Sequence, residues 1–76
     1  MDINEFIQHF AEQFEETDAA EFKAETNFHD LDEWSSLIAL SVIAMVDEEY
    51  DVTLKGADIE NASTIEDLFN TVQSKK

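Results

Sequence analysis

The sequence predicts an all-α fold, a small antiparallel four-helix bundle made of three main helices and one short one. Three observations predict it. Apolar residues recur at helical spacing in three separate segments. Strand-like alternation is weak throughout. One Gly and no Pro leave few breakers to interrupt a helix. The 76 residues suit one small domain over 1–76. A domain of that size buries only about 60% of its unfolded surface, so its core is thin.

The first helix is expected from Asp2 to about Glu15, with Asp2 as its N-cap. Ile3, Phe6, Ile7, Phe10 and Phe14 form its core face, and Glu5, Gln8, Glu12 and Gln13 the opposite one. No period is sustained from Glu16 to Trp34. Asp18 is placed to cap a short turn through Phe22, and Phe22, Phe28 and Leu31 can pin this long loop to a core. Long loops in compact domains are often functional.

Ser36 to Tyr50 forms the second helix, apolar nearly all round through Leu37, Ile38, Leu40, Val42, Ile43, Met45 and Val46. So short a chain cannot enclose it on every side. Some of Ile38, Ser41, Ala44 and Met45 are expected at the surface as a contact patch. Asp51 to Ala62 reads as a connection with one turn at Ala57–Asn61, anchored by Val52, Leu54 and Ile59. Ser63, three residues before Glu66, reads as the N-cap of a capping box. The last helix then buries Ile65, Leu68, Phe69 and Val72 and ends near Gln73, where Lys75 and Lys76 suit its C-terminus.

Nineteen Asp and Glu against four Lys and no Arg give a formal charge of -15. Binding nucleic acid requires a basic stripe, and Lys23, Lys55, Lys75 and Lys76 are scattered. The same charge disfavours an anionic membrane surface, and no apolar run is long enough for membrane insertion. With no basic-then-apolar segment either, a soluble, cytoplasmic protein is the default expectation, and the charge favours a monomer whose partners present Lys or Arg patches. Without Cys there is no disulfide, thiolate nucleophile or zinc–cysteine site.

Asp30-x-Asp32 opens like a calcium loop, but Ser35 and Ser41 stand where that loop needs Gly and Glu, so no metal site is expected. No nucleophile elbow or phosphate-cradling Gly loop accompanies His9, expected to be exposed, or His29. Catalysis is not expected.

The informative stretch is Trp34-Ser35-Ser36-Leu37, which sets hydroxyls at the start of the most apolar helix. A helix N-terminus tolerates an attached phosphate, although serine is also an ordinary cap there. The run Leu31-Asp32-Glu33-Trp34-Ser35-Ser36-Leu37, with Phe28 before it, Asp47-Glu48-Glu49-Tyr50 closing the helix and Ser63-Thr64-Ile65 opening the last one, resembles the acyl carrier protein family.

The resemblance implies an acyl-carrier-protein-like bundle whose Ser36 bears 4'-phosphopantetheine, taken from coenzyme A on a separate phosphopantetheinyl transferase. It implies further partners of acyl-transfer, ketosynthase or ligase type with basic or apolar docking surfaces. Trp34, Ser35, Leu37, Ile38, Ser41, Met45 and Glu48 are then expected to face partners, and Leu40, Ile43, Ile59 and Phe69 to line an acyl pocket. The sequence departs from the family pattern in two places. Ser35 replaces the Asp before the serine, with Asp32 and Glu33 as candidates to replace part of its charge. Ile38 and Ser41 replace acids on the partner side. The second departure points to a specialised fatty-acid, polyketide or lipid-type pathway. An unmodified acidic interaction domain and an aminoacyl carrier are the alternatives.

Overall fold

A computed structural model describes residues 2–76. Among them lie four α-helices: α1 (Ile3–Ala11), α2 (Ser36–Tyr50), α3 (Gly56–Asn61) and α4 (Ile65–Lys75). Two short 3-10 turns, Ala19–Glu21 and Phe28–Asp30, interrupt the long loop before α2. No strand forms among the described residues, and one isolated bridge pairs Asn27 with Thr64. No helix among them is long and apolar enough to cross a membrane.

Asp2 caps α1 by accepting the Asn4 amide at 3.0 Å. The helix stops at Ala11, short of the expected Glu15, because the chain tightens there: the Gln13 and Phe14 amides donate to the Phe10 and Ala11 carbonyls. Phe14 stays in the core from just beyond the helix end. Asp18 caps the first 3-10 turn through the Ala20 amide, as its position suggested.

The bounds of α2 match the expected Ser36–Tyr50. Asp51 ends it in the left-handed region, at φ 56°, where Asp is tolerated better than most non-glycine residues. The turn expected at Ala57–Asn61 is a six-residue helix beginning at Gly56. The box on α4 sits one residue later than expected: Thr64 is the N-cap and Asp67 its acidic partner. The cause is that Ser63 and Thr64 both carry hydroxyls, and it is the Thr64 hydroxyl oxygen that accepts the amide three residues on, that of Asp67 at 3.1 Å.

Phenylalanines dominate the core. Phe6, Phe10 and Phe28 are completely buried, together with Val42, Val46, Ile65, Leu68 and Val72. Phe10 contacts the rings of Phe6, Phe14, Phe22, Phe28 and Trp34. α1 packs on both α2 and α4, and α3 packs on α4.

Candidate functional site

The loop that delivers α2 is tied down at both ends. Near its start, the Glu33 carboxylate gathers the chain after α1: Oε2 accepts the Glu15 amide at 2.7 Å, and Oε1 accepts the Glu16 and Thr17 amides and the Thr17 hydroxyl. Those donors hold the Glu33 carboxyl below the ordinary glutamate range, the Glu15 amide contributing most. Glu33 is therefore held in the loop as a carboxylate, and Asp32 beside it is exposed. Midway, Ile65 and Glu66 amides of α4 donate to the Thr26 and Ala24 carbonyls.

Trp34 completes the approach. Its ring packs 4.8 Å from Phe28 and stacks at 6.3 Å on Phe10. It is half-buried, so much of its surface is spent on the core. Ser35 is the N-cap of α2, its hydroxyl accepting the Ile38 amide at 3.3 Å. Ser36 is the first helical residue and is exposed.

The N-termini of α2 and α4 differ in a way that matters chemically. On α4, the Ile65, Glu66 and Asp67 amides all find acceptors within the chain, and two acids occupy the first turn. On α2, the Ser36 and Leu37 amides find no acceptor among the described residues, and the first turn holds no acid. Those amides and the helix dipole suit a phosphate diester on the adjoining hydroxyl. The residues present thus fit an attached phosphate group.

Beside Ser36 runs an open groove of ≈ 570 Å³ between α2 and α3. Ala39, Leu40 and Ile43 line its α2 side, Gly56, Ile59 and Glu60 its α3 side, and His29, Trp34, Ser35 and Ser36 complete it. Three of the four expected acyl-lining residues, Leu40, Ile43 and Ile59, meet there. Phe69 does not: it is buried in the core, edge-on to Phe6 at 5.5 Å, because α4 turns that face toward α1. His29, Gly56 and Glu60 carry no local sequence signal for this role.

The outward strip of α2 consists of Leu37, Leu40, Ser41, Ala44 and Glu48, one helix face by spacing. Leu37 is 75% exposed and Leu40 62%, the two large apolar side chains left at the surface among the described residues. Ile38 and Ser41 are half-buried. Met45 corrects the expected patch: it is buried in the core. A near-uniformly apolar helix gives no periodic cue to which side turns outward; Ala44 is exposed as expected, and Leu37 and Leu40 join it at the surface.

Elsewhere, His9 is half-buried rather than exposed, between Glu5, Glu12 and Glu49 at 3.6 to 3.9 Å. Among the described residues no three His, Asp or Glu side chains are arranged to hold a metal.

A family model described as a phosphopantetheine attachment site matches residues 4–72. No curated protein and no solved structure shows significant similarity to the chain.

Proposed function

We propose an acyl-carrier function from a plain premise: the chain belongs to the phosphopantetheine attachment-site family. That family holds covalently attached 4'-phosphopantetheine, and its carrier domains are generally not themselves catalytic. Ser36 is the attachment residue in this reading. The observation that carries it is the exposed Ser36 at the first position of α2, beside amides without acceptors and at the edge of an apolar groove. Ser36 Oγ attacks the pyrophosphate of coenzyme A on a separate transferase. A phosphodiester forms, the adenosine bisphosphate portion leaves, and the hydroxyl proton passes to the transferase.

The arm supplies a terminal thiol that carries cargo as a thioester. Tethering raises the effective concentration of that cargo at each partner's active site. The chain's own contribution is to present Ser36, to stabilise the phosphate with the first turn of α2, and to shelter apolar cargo against Leu40, Ile43 and Ile59.

Partners dock on the outer strip of α2, where Leu37 and Leu40 supply apolar contact, Ser35 and Ser41 flank them, and Glu48 adds charge at the far end. Trp34 and Ile38 contribute only their exposed parts. With no acid in the first turn of α2, recognition close to Ser36 is apolar, and the overall charge of -15 steers basic partner surfaces toward it. A docking surface of this kind suits dedicated acyl-transfer, ketosynthase or ligase-type enzymes of a specialised fatty-acid, polyketide or lipid-type pathway. A cytoplasmic monomer acting as one domain belongs to the same proposal.

The test is loading and release. Incubation with butyryl-coenzyme A, magnesium and a broad-specificity transferase is expected to add one butyryl-phosphopantetheinyl mass, from which hydroxylamine removes only the acyl part. A protein that gains no such mass with this or any transferase tried is not a carrier.

A further inference from the structure

One residue ties the α3 wall of the groove to the loop that leads into α2. His29 sits in the second 3-10 turn, and its Nε2 lies 2.8 Å from the Ala62 carbonyl oxygen and 3.2 Å from that of Ile59. Carbonyl oxygens only accept, so Nε2 carries the proton and donates to both. Ile59 O is one of the last four carbonyls of α3, which have no partner inside a helix. On its other side the His29 ring lies 4.3 Å from Phe28 and edge-on to Trp34 at 5.6 Å, the residues that lead into α2.

α3 depends on such attachments. Six residues are too few for a helix to hold itself together. Its first turn is fixed by Asp58, which accepts the Lys55 amide at 2.9 Å and pairs with Lys75 at 3.4 Å. Ile59 anchors its middle in the core. At its C-terminal end, the His29 ring spans the distance to the loop before α2.

We propose that His29 is the specificity-determining residue of the groove. By donating Nε2–H to Ile59 and Ala62 it fixes the C-terminal end of α3 against the loop that leads into α2, and so limits how far the groove opens and the length of acyl chain it admits. This inference rests on the reading of the groove as the cargo shelter. Without the donor, both carbonyls turn to water, the C-terminal end of α3 is released, and the groove widens.

Two measurements separate the latch from the shelter. Amide exchange on the unloaded protein tests the latch. His29→Ala is expected to speed exchange at Ala62, whose amide closes the last turn of α3 onto Asp58, about tenfold, the effect of losing one hydrogen bond. Exchange at Phe10 and Val72 stays unchanged. His29→Gln, whose side-chain amide reaches the same carbonyls, restores most of the protection. Unchanged exchange in His29→Ala, or equal exchange in the two variants, overturns the latch.

Methyl spectra of protein loaded with butyryl or dodecanoyl groups test the limit. In the wild type, Ile43 and Ile59 methyls shift with butyryl and no further with dodecanoyl. In His29→Ala, dodecanoyl produces the larger shifts. Equal responses in both proteins overturn the length limit. Shifts absent with either group in the wild type remove the shelter, and with it the role in specificity, while the exchange result on the latch stands by itself.

Discussion

The Ser35 hydroxyl accepts the Ile38 amide at 3.3 Å, and Ser36, the next residue, begins the helix. Two adjacent serines thereby divide two tasks that one residue cannot perform together. The cap must point its oxygen back at the helix, whereas an acceptor must turn its oxygen out to another enzyme.

Ser35→Ala should consequently cost stability, about 1 kcal/mol for a lost N-cap, whereas Ser36→Ala should leave the fold nearly unchanged. Thermal melts of the two variants check this. Equal losses would mean that capping is shared. Ser35→Asp keeps a capping oxygen and adds a negative charge beside the α2 N-terminus, so it should melt at or above the wild-type temperature and be modified faster by a broad-specificity transferase. No change in that rate would show that the serine at position 35 does not limit modification.

Glu33 makes loop stability depend on pH. Its folded pKa is lowered, chiefly by the Glu15 amide and then by the Glu16 and Thr17 donors. A lowered carboxylate contributes stability that is fully present above the unfolded value, about 4.3 for Glu, and is lost as pH falls through the folded one. Glu33→Gln should therefore be less stable than the wild type at pH 7, and the gap should close in acid below that range. Melts of both proteins from pH 7 to pH 3 measure the gap, and a constant gap would mean that charge at Glu33 is irrelevant. Self-repulsion of the other carboxylates is common to both proteins and drops out of the difference.

Tyr50 buries a hydroxyl that meets no hydrogen-bond partner among the described residues. Burial raises its pKa, and the carboxylates of Glu5, Glu49 and Asp2 add to the effect. Tyr50→Phe removes the unpaired group and keeps the ring contact with Phe6 at 5.7 Å. Denaturant unfolding should show it as stable as the wild type or more so, by about 1 kcal/mol. A clear loss would reveal a partner for the hydroxyl in solution.

Phe10 is the hub of the aromatic core and has no exposed surface. Phe10→Ala should cost about 3–5 kcal/mol, comparable to the whole stability of a small domain. Circular dichroism at 25 °C is expected to show a largely unfolded variant. A cooperative fold with a nearly unchanged melting temperature would contradict the packing described.

Much of this was legible in the sequence because the cues were local. Ser36–Tyr50, the Asp2 and Asp18 caps and the anchoring of the loop by Phe22 and Phe28 all follow from residues within a few positions of one another. The errors fall where local cues are degenerate. Ser63 and Thr64 offer the same hydroxyl, and the choice between them depends on which of Glu66 and Asp67 reaches back. Phe14 continues the spacing of α1 after the helix has ended, because the tightened turn keeps it on the same side. Met45 and Phe69 are core residues whose helices gave no sign of which neighbour would cover them. The commitments of Glu33 to residues 15–17 and of His29 to residues 59 and 62 span long stretches of chain. No periodicity announces such pairs; only the fold brings them together.

The most direct measurement is tandem mass spectrometry after incubation with coenzyme A, magnesium and a broad-specificity phosphopantetheinyl transferase, run on the wild type, Ser36→Ala and Ser35→Ala. The carrier reading predicts one phosphopantetheinyl group on the wild type, located on Ser36, retained in Ser35→Ala and lost in Ser36→Ala. A group found on Ser35, or a Ser36→Ala protein that is still modified, would contradict it.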